Sequence, residues 1–150
     1  AGFSDKAEVK LRGGTIVRVG RGSELTMQEY SGRARPRRLR LTSSGGQYRV
    51  TTSKSFRRAG SSMEIDTPYA TILSGNADLL VEHAVDASGL TVVELGSDPI
   101  KVKNQFGETA LLHRGEMSTI SFGLLPSQPV RIEESELDTA VESTSMLIRR

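Results

Sequence analysis

Five arginines crowd into "GRARPRRLR", at Arg33, Arg35, Arg37, Arg38 and Arg40, and Arg57 and Arg58 follow in the same half of the chain. Guanidinium groups present planar forks of donors that match phosphates and carboxylates. The chemistry open to this run is therefore recognition of a polyanion or of an acidic protein face. Single-stranded nucleic acid also wants stacking platforms, and Tyr30 and Tyr48 are the only rings nearby. No helix-turn-helix, RNP-like or zinc-finger pattern accompanies the arginines. The plainer role is a solvated loop entering an edge strand, where Arg38 and Arg40 blunt edge-to-edge pairing.

The other candidates for chemistry are fewer. Two histidines, His83 and His113, lack a neighbouring cluster of carboxylates at ligand spacing. In "EHAVD" the strand neighbours Glu82 and His83 point to opposite faces, so Glu82, His83 and Asp86 do not converge. Glu64 and Asp66 are two apart and share a face of a regular strand. A carboxylate dyad there would need further catalytic partners, and Pro68 follows at once. No serine lies in a nucleophile-elbow pattern and no glycine run matches a phosphate loop. Cysteine is absent, which removes disulfides and thiolate metal sites. The expectation is a non-enzyme with no catalytic residue, no metal site and no cofactor.

The elements that must carry these residues read as β-strand. A chain of 150 residues is the size of one domain with a real core. Period-two alternation runs from position 9 to about 133. In "TIVRVGRGSELTM" it turns Val17 and Val19 inward. "RLRLTSSGGQYRVTTS" reads as a hairpin with its turn at Ser44-Gly45-Gly46. "GSDP" and Arg114-Gly115-Glu116 are further turn signals. Strand-sized runs recur roughly every 8 to 12 residues with no helical pattern between them, which predicts an all-β domain. The tail differs. After a stretch stiffened by Pro126 and Pro129, Leu137, Val141 and Ile148 fall at helical spacing, which predicts a short amphipathic helix over 135–150. The expected boundaries are an all-β domain over 1–125 and a linker with helix over 126–150.

Charge is divided along the chain. Residues 1–60 hold 14 basic and 4 acidic residues, and residues 61–150 hold 6 and 14. Such a split implies a surface that faces a polyanion, or complementary faces that meet. No apolar run approaches the roughly 18 residues of a membrane span. The chain opens "AGFSDKAEVK", and an alanine in first place suits the residue after a cleaved export signal.

One stretch interrupts the alternation twice, "MEIDTPYATILSGNADLLVE" at 63–82. Proline removes a ladder donor and holds Thr67 extended. Gly75 marks a second bend. The expected path is strand, proline corner, strand, glycine bend, strand. This pattern resembles the FecR domain of bacterial iron-citrate-type transmembrane sensors, through Thr67, Pro68, Ala70 and Gly75. "GLTVVELGSDPIKVKNQFGETALLHRGEMSTI" extends the resemblance through Leu90, Val92, Glu94, Val102, Leu112, Gly115 and Glu116. Upstream segments match through Leu11, Val17, Val19, Ser23 and Leu25, then Leu39, Leu41, Gly46 and Val50, so that residues 9–123 are covered in order. The chain departs from the family at Asn76-Ala77-Asp78 after Gly75, and the family's sigma-factor-binding helices and membrane helix are not expected within these 150 residues.

The resemblance implies a bent antiparallel sheet, β-roll or sandwich-like FecR-type domain. It also implies a role in signal transduction and location in the periplasm or cell envelope. The function expected is a protein-binding domain, with an envelope receptor or a second copy as partner. The alternatives are a structural β-roll subunit that self-assembles through its basic and acidic faces, and a polyanion-binding module. The candidate contact residues are Arg33, Arg35, Arg37, Arg38, Arg40, Arg57 and Arg58. The family-pattern structural residues are Thr67, Pro68, Ala70, Gly75 and Gly115.

Overall fold

The computed structural model describes residues 2–3, 7–11, 14–20, 23–31, 38–52, 61–83, 89–96, 98–121, 126–132 and 135. Among them the chain forms β1 (Gly2–Phe3), β2 (Ala7–Lys10), β3 (Ile16–Val19), β4 (Ser23–Ser31), β5 (Arg38–Gly45), β6 (Gln47–Thr51) and β7 (Ser62–Asp66). There follow β8 (Thr71–Ser74), β9 (Asp78–His83), β10 (Gly89–Glu94), β11 (Ile100–Asn104), β12 (Gly107–Leu111), β13 (Glu116–Ser121) and β14 (Val130–Arg131). Of the helix expected over 135–150, only Ser135 is among the described residues.

The strands build two seven-stranded sheets. One runs β1-β4-β5-β7-β8-β11-β12 and the other β14-β13-β10-β9-β6-β3-β2. Pairing is antiparallel except between β5 and β7, where Arg38 to Thr42 run parallel to Ser62 to Asp66. Alternation decides what lies between the sheets. In β5, Leu39 and Leu41 are buried while Arg38 and Arg40 are exposed. Val17 and Val19 point inward as the sequence predicts. They meet Tyr48, Val50, Leu79, Val81, Leu90, Val92 and Ile120 from their own sheet, and Met63, Ile65, Ile72, Ile100, Val102 and Leu111 from the other. β-Branched and aromatic side chains suit such a half-buried pleated surface. A second, smaller cluster of Leu80, Val93 and Leu95 on the outer face is packed by Met117 and Ile132.

The order of strands gives the chain a simple rhythm, a hairpin in one sheet and then a hairpin in the other. β7 pairs with β8, β9 with β10, and β11 with β12. β8 then pairs with β11, and β10 with β13. The result is a roll, and glycines mark its crossings. Here the structure corrects the reading of "RLRLTSSGGQYRVTTS" as a hairpin, because β5 and β6 lie in different sheets. Gly46, at a φ of 85°, turns the chain from one sheet to the other. Both Leu39-Leu41 and Tyr48-Val50 face the same core from opposite sides. A glycine turn between two alternating runs looks the same in either case, since a hairpin and a crossing differ only in what each strand pairs with. The "GSDP" and Arg114-Gly115-Glu116 signals are crossings too, from β10 to β11 and from β12 to β13.

The interrupted stretch resolves in the same terms. Thr67-Pro68-Tyr69-Ala70 is the turn of the β7–β8 hairpin, and Gly75-Asn76 is the bend by which the chain leaves β8 and enters β9 in the other sheet. Both interruptions lie between strands, as the proline and glycine require.

Candidate protein-binding site

Thr67 organises its turn from within. Its hydroxyl donates to the Ala70 carbonyl at 2.8 Å and accepts the Ala70 and Tyr69 amides at 3.0 and 3.2 Å. The Thr67 amide donates to the Ala70 carbonyl at 3.0 Å. Pro68 needs no amide partner and stands exposed at the tip. Beside it lies the β11–β12 turn, where the Asn104 side-chain oxygen accepts the Phe106 and Gly107 amides at 2.9 and 3.2 Å. Asn104 Nδ2 donates to the Tyr69 carbonyl at 3.3 Å, which ties the two tips together. Between them is a cleft of about 300 Å³ lined by Thr67 to Thr71 and Lys103 to Phe106. Phe106 is 51 % exposed at its rim. An aromatic ring held open to water on a rigid turn is a residue type enriched in protein interfaces.

The family-pattern residues divide by role. Thr67, Pro68 and Ala70 shape the cleft. Gly75 shapes a crossing, and there the Ala77 amide donates to Thr52 Oγ1 at 2.7 Å while that hydroxyl donates to Asn76 Oδ1 at 3.0 Å. Gly115, at a φ of 90°, allows the β12–β13 crossing to fold tightly. Glu116 beside it accepts the Leu112 and His113 amides at 2.6 and 2.8 Å. Those two amides hold its carboxyl below the usual range.

The arginine run separates as well. Arg38 is exposed at the start of β5. Arg40 is already engaged: its Nε lies 2.9 Å from Asp66 and 3.3 Å from Glu64. Glu64 and Asp66 do share a face, and burial, followed by its hydrogen bond to Asp66 and the charge of Asp66, pushes the Glu64 carboxyl up against the pull of Arg40 and Lys103. The pair therefore clamps an arginine from a neighbouring strand. Arg49 forms a second link of this kind, with a fork to Asp78 at 2.9 and 2.8 Å. Both links join the basic first half of the chain to its acidic second half. Arg33, Arg35, Arg37, Arg57 and Arg58 lie outside the described residues.

One polar cluster escaped the sequence reading. Ser43 Oγ lies 2.6 Å from the Tyr48 hydroxyl and 3.0 Å from His83 Nε2. All three residues are buried, Ser43 at 1 %, Tyr48 at 0 % and His83 at 7 % exposure. Burial pushes the histidine down and the tyrosine up, so both are neutral at pH 7. A serine this close to an imidazole could be activated as a nucleophile, but it has no face open to a substrate. The signal was present in the alternation. Ser43 continues the inward row of Leu39 and Leu41, and His83 continues that of Leu79 and Val81. His83 and Glu82 do point to opposite faces, with Glu82 exposed. Among the described residues no three histidine, aspartate or glutamate side chains are grouped to hold a metal ion.

The comparisons with known proteins agree with this architecture. The family model described as FecR protein matches residues 1–97, and the chain belongs to that family. The match takes in Thr67, Pro68, Ala70 and Gly75 and stops short of Gly115, which the resemblance drawn from sequence over 9–123 includes. No curated protein matches the chain. Two solved structures, each of a putative anti-sigma factor from Parabacteroides distasonis, share the fold. Their TM-scores are 0.69 and 0.72, at 13 % and 12 % identity. Each comparison covers 94 % of this chain and 62 % of the other, so the chain spans less than two thirds of those proteins. Family membership supports a regulatory or signalling domain, and these neighbours share its fold.

Proposed function

We propose that this chain is a non-enzymatic binding domain of the cell envelope that senses or regulates by contacting another protein. The observation that carries the reading is the cleft between the β7–β8 and β11–β12 tips. It joins a concave surface of about 300 Å³, an exposed Phe106 and, near the end of β11, the Lys103 side chain, at two turns tied together by Asn104. A partner that fits it offers an apolar side chain to Phe106 and Pro68, with an acidic or hydrogen-bonding group for Lys103. The turn that shapes the cleft is also the stretch with the densest family pattern, Thr67, Pro68 and Ala70. Location in the periplasm belongs to the same proposal and rests on the family.

The arginine run is proposed as a second contact surface. Arg38 pairs with Ser62 at the end of β7 opposite the cleft, roughly 15 Å along the strand at about 3.3 Å per residue. Arg33, Arg35 and Arg37 precede it, and Arg57 and Arg58 belong to the same proposal. Arg40 is the weakest member, because Asp66 and Glu64 already hold it.

The test is regulatory. Phe106→Asp is introduced into the chromosomal copy of the gene, and transcripts are compared with those of the native strain and a deletion strain. The proposal expects the substitution to reproduce the transcript changes of the deletion at unchanged protein level. A transcript profile equal to the native one would remove the cleft from the regulatory function.

A further inference from the structure

Glu94 ends β10 on the inward face, following Leu90 and Val92, and it is 0 % exposed. One carboxyl oxygen accepts the Gly96 amide at 3.0 Å. The other, Oε2, is buried without a hydrogen-bond partner. A buried carboxylate with an unsatisfied oxygen is costly, whereas the neutral acid is tolerated. The charged side chains that bear on it are acidic on each element. Asp78 acts from β9, Asp98 from the β10–β11 crossing and Glu116 from β13. Asp78 is itself clamped by Arg49 from β6. Arg114, in the β12–β13 crossing, directs its guanidinium to the Leu95 carbonyl at 2.8 Å. Burial above all, then the three carboxylates, raise the Glu94 carboxyl from 4.5 to about 7, against the opposing pull of the Gly96 amide.

The backbone around Glu94 fastens four segments. The Leu95 and Gly96 amides donate to the Asp78 carbonyl at 2.9 and 3.1 Å. The Gly115 amide donates to the Glu94 carbonyl at 2.9 Å, and the Ile132 amide donates to the Gly115 carbonyl at 2.9 Å. The corner thus holds the start of β9, the β10–β11 crossing, the β12–β13 crossing and the chain after β14 in one hydrogen-bonded series.

We propose that Glu94 is a proton-sensitive latch: neutral, it lets this corner close, and ionised, it forces the corner open and loosens the attachment of the chain at Ile132. The inference is independent of the cleft and of its partner. Over the window from about pH 4.5 to about 7 the closed corner holds a proton that an open corner releases. The closed form therefore loses stability as pH rises through that window, and the loss levels off above it.

Amide hydrogen exchange tests the latch, corrected for the intrinsic pH dependence of exchange. Between pH 6 and 8, protection of the Gly96, Gly115 and Ile132 amides in the native protein should fall about tenfold, the change that proton linkage gives for such a group. In Glu94→Gln it should change less than about twofold, and amides of β5 and β7 should change equally in both proteins. Equal changes at the corner in native protein and variant would overturn the proposal. Should the variant fold poorly, the carbon-13 titration of the Glu94 carboxyl in the native protein decides. A midpoint near 7 supports the latch, and one near 4.5 removes it.

Discussion

Ser43 occupies an inward position that alternation would fill with an apolar residue, and it keeps two other buried polar groups satisfied. Replacing it by alanine leaves the Tyr48 hydroxyl and His83 Nε2 buried without that partner. Urea denaturation of Ser43→Ala should show a loss of about 1–3 kcal/mol, the cost of an orphaned buried polar group. His83 adds a pH dependence with a definite sign. Its folded-state value lies below the ordinary 6.5, so below that pH the unfolded chain binds the proton more readily. The stabilisation is present above about pH 6.5 and is lost as pH falls. The stability advantage of the native protein over His83→Gln should shrink between pH 7.5 and pH 5 in urea denaturation; a constant difference would show that the ring titrates normally. At this scale the sequence was partly legible. The opposite faces of Glu82 and His83 follow from strand geometry alone. The meeting of Ser43 with His83, 40 positions away, depends on which strands face each other, and no local pattern carries that.

The elements show the same division between local and distant information. Alternation places Val17 and Val19 correctly, because each strand has one core face and one wet face. The proline turn at Pro68 and the bend at Gly75 were also legible, since their residues restrict the backbone directly. What alternation misses is the sheet to which a strand belongs. Ser44-Gly45-Gly46 looks like a hairpin turn, yet the chain there passes from one sheet to the other. The β5–β7 parallel pair was likewise invisible, as it joins segments separated by β6. Gly89 tests how tightly the elements fit. A Cβ on Gly89 would lie 2.0 Å from the Ile120 carbonyl oxygen, a backbone atom on the paired strand β13. Gly89→Ala should destabilise by about 1–3 kcal/mol or more, as overpacking does. A thermal unfolding midpoint equal to that of the native protein would mean that β10 and β13 are further apart than described.

At the scale of the molecule, the uneven charge of the two halves closes partly within the fold. Arg40 with Asp66, and Arg49 with Asp78, each tie an early strand to a later one. Within the family match over residues 1–97, Thr67 and Pro68 sit in a turn and Gly75 at a crossing, where backbone geometry is special. The cleft was not legible. Phe106 looks like any residue in a turn until the β7–β8 and β11–β12 tips are brought side by side. The proposed binding of another protein in the cleft is tested most directly by photo-crosslinking in living cells of the native host. A photoreactive phenylalanine analogue is placed at position 106, and as a control at position 82, exposed on the outer face of the other sheet. One discrete crosslinked protein is expected from position 106, absent from position 82 and lost when Lys103→Glu is added. No crosslink at 106, or the same products from both positions, would contradict it.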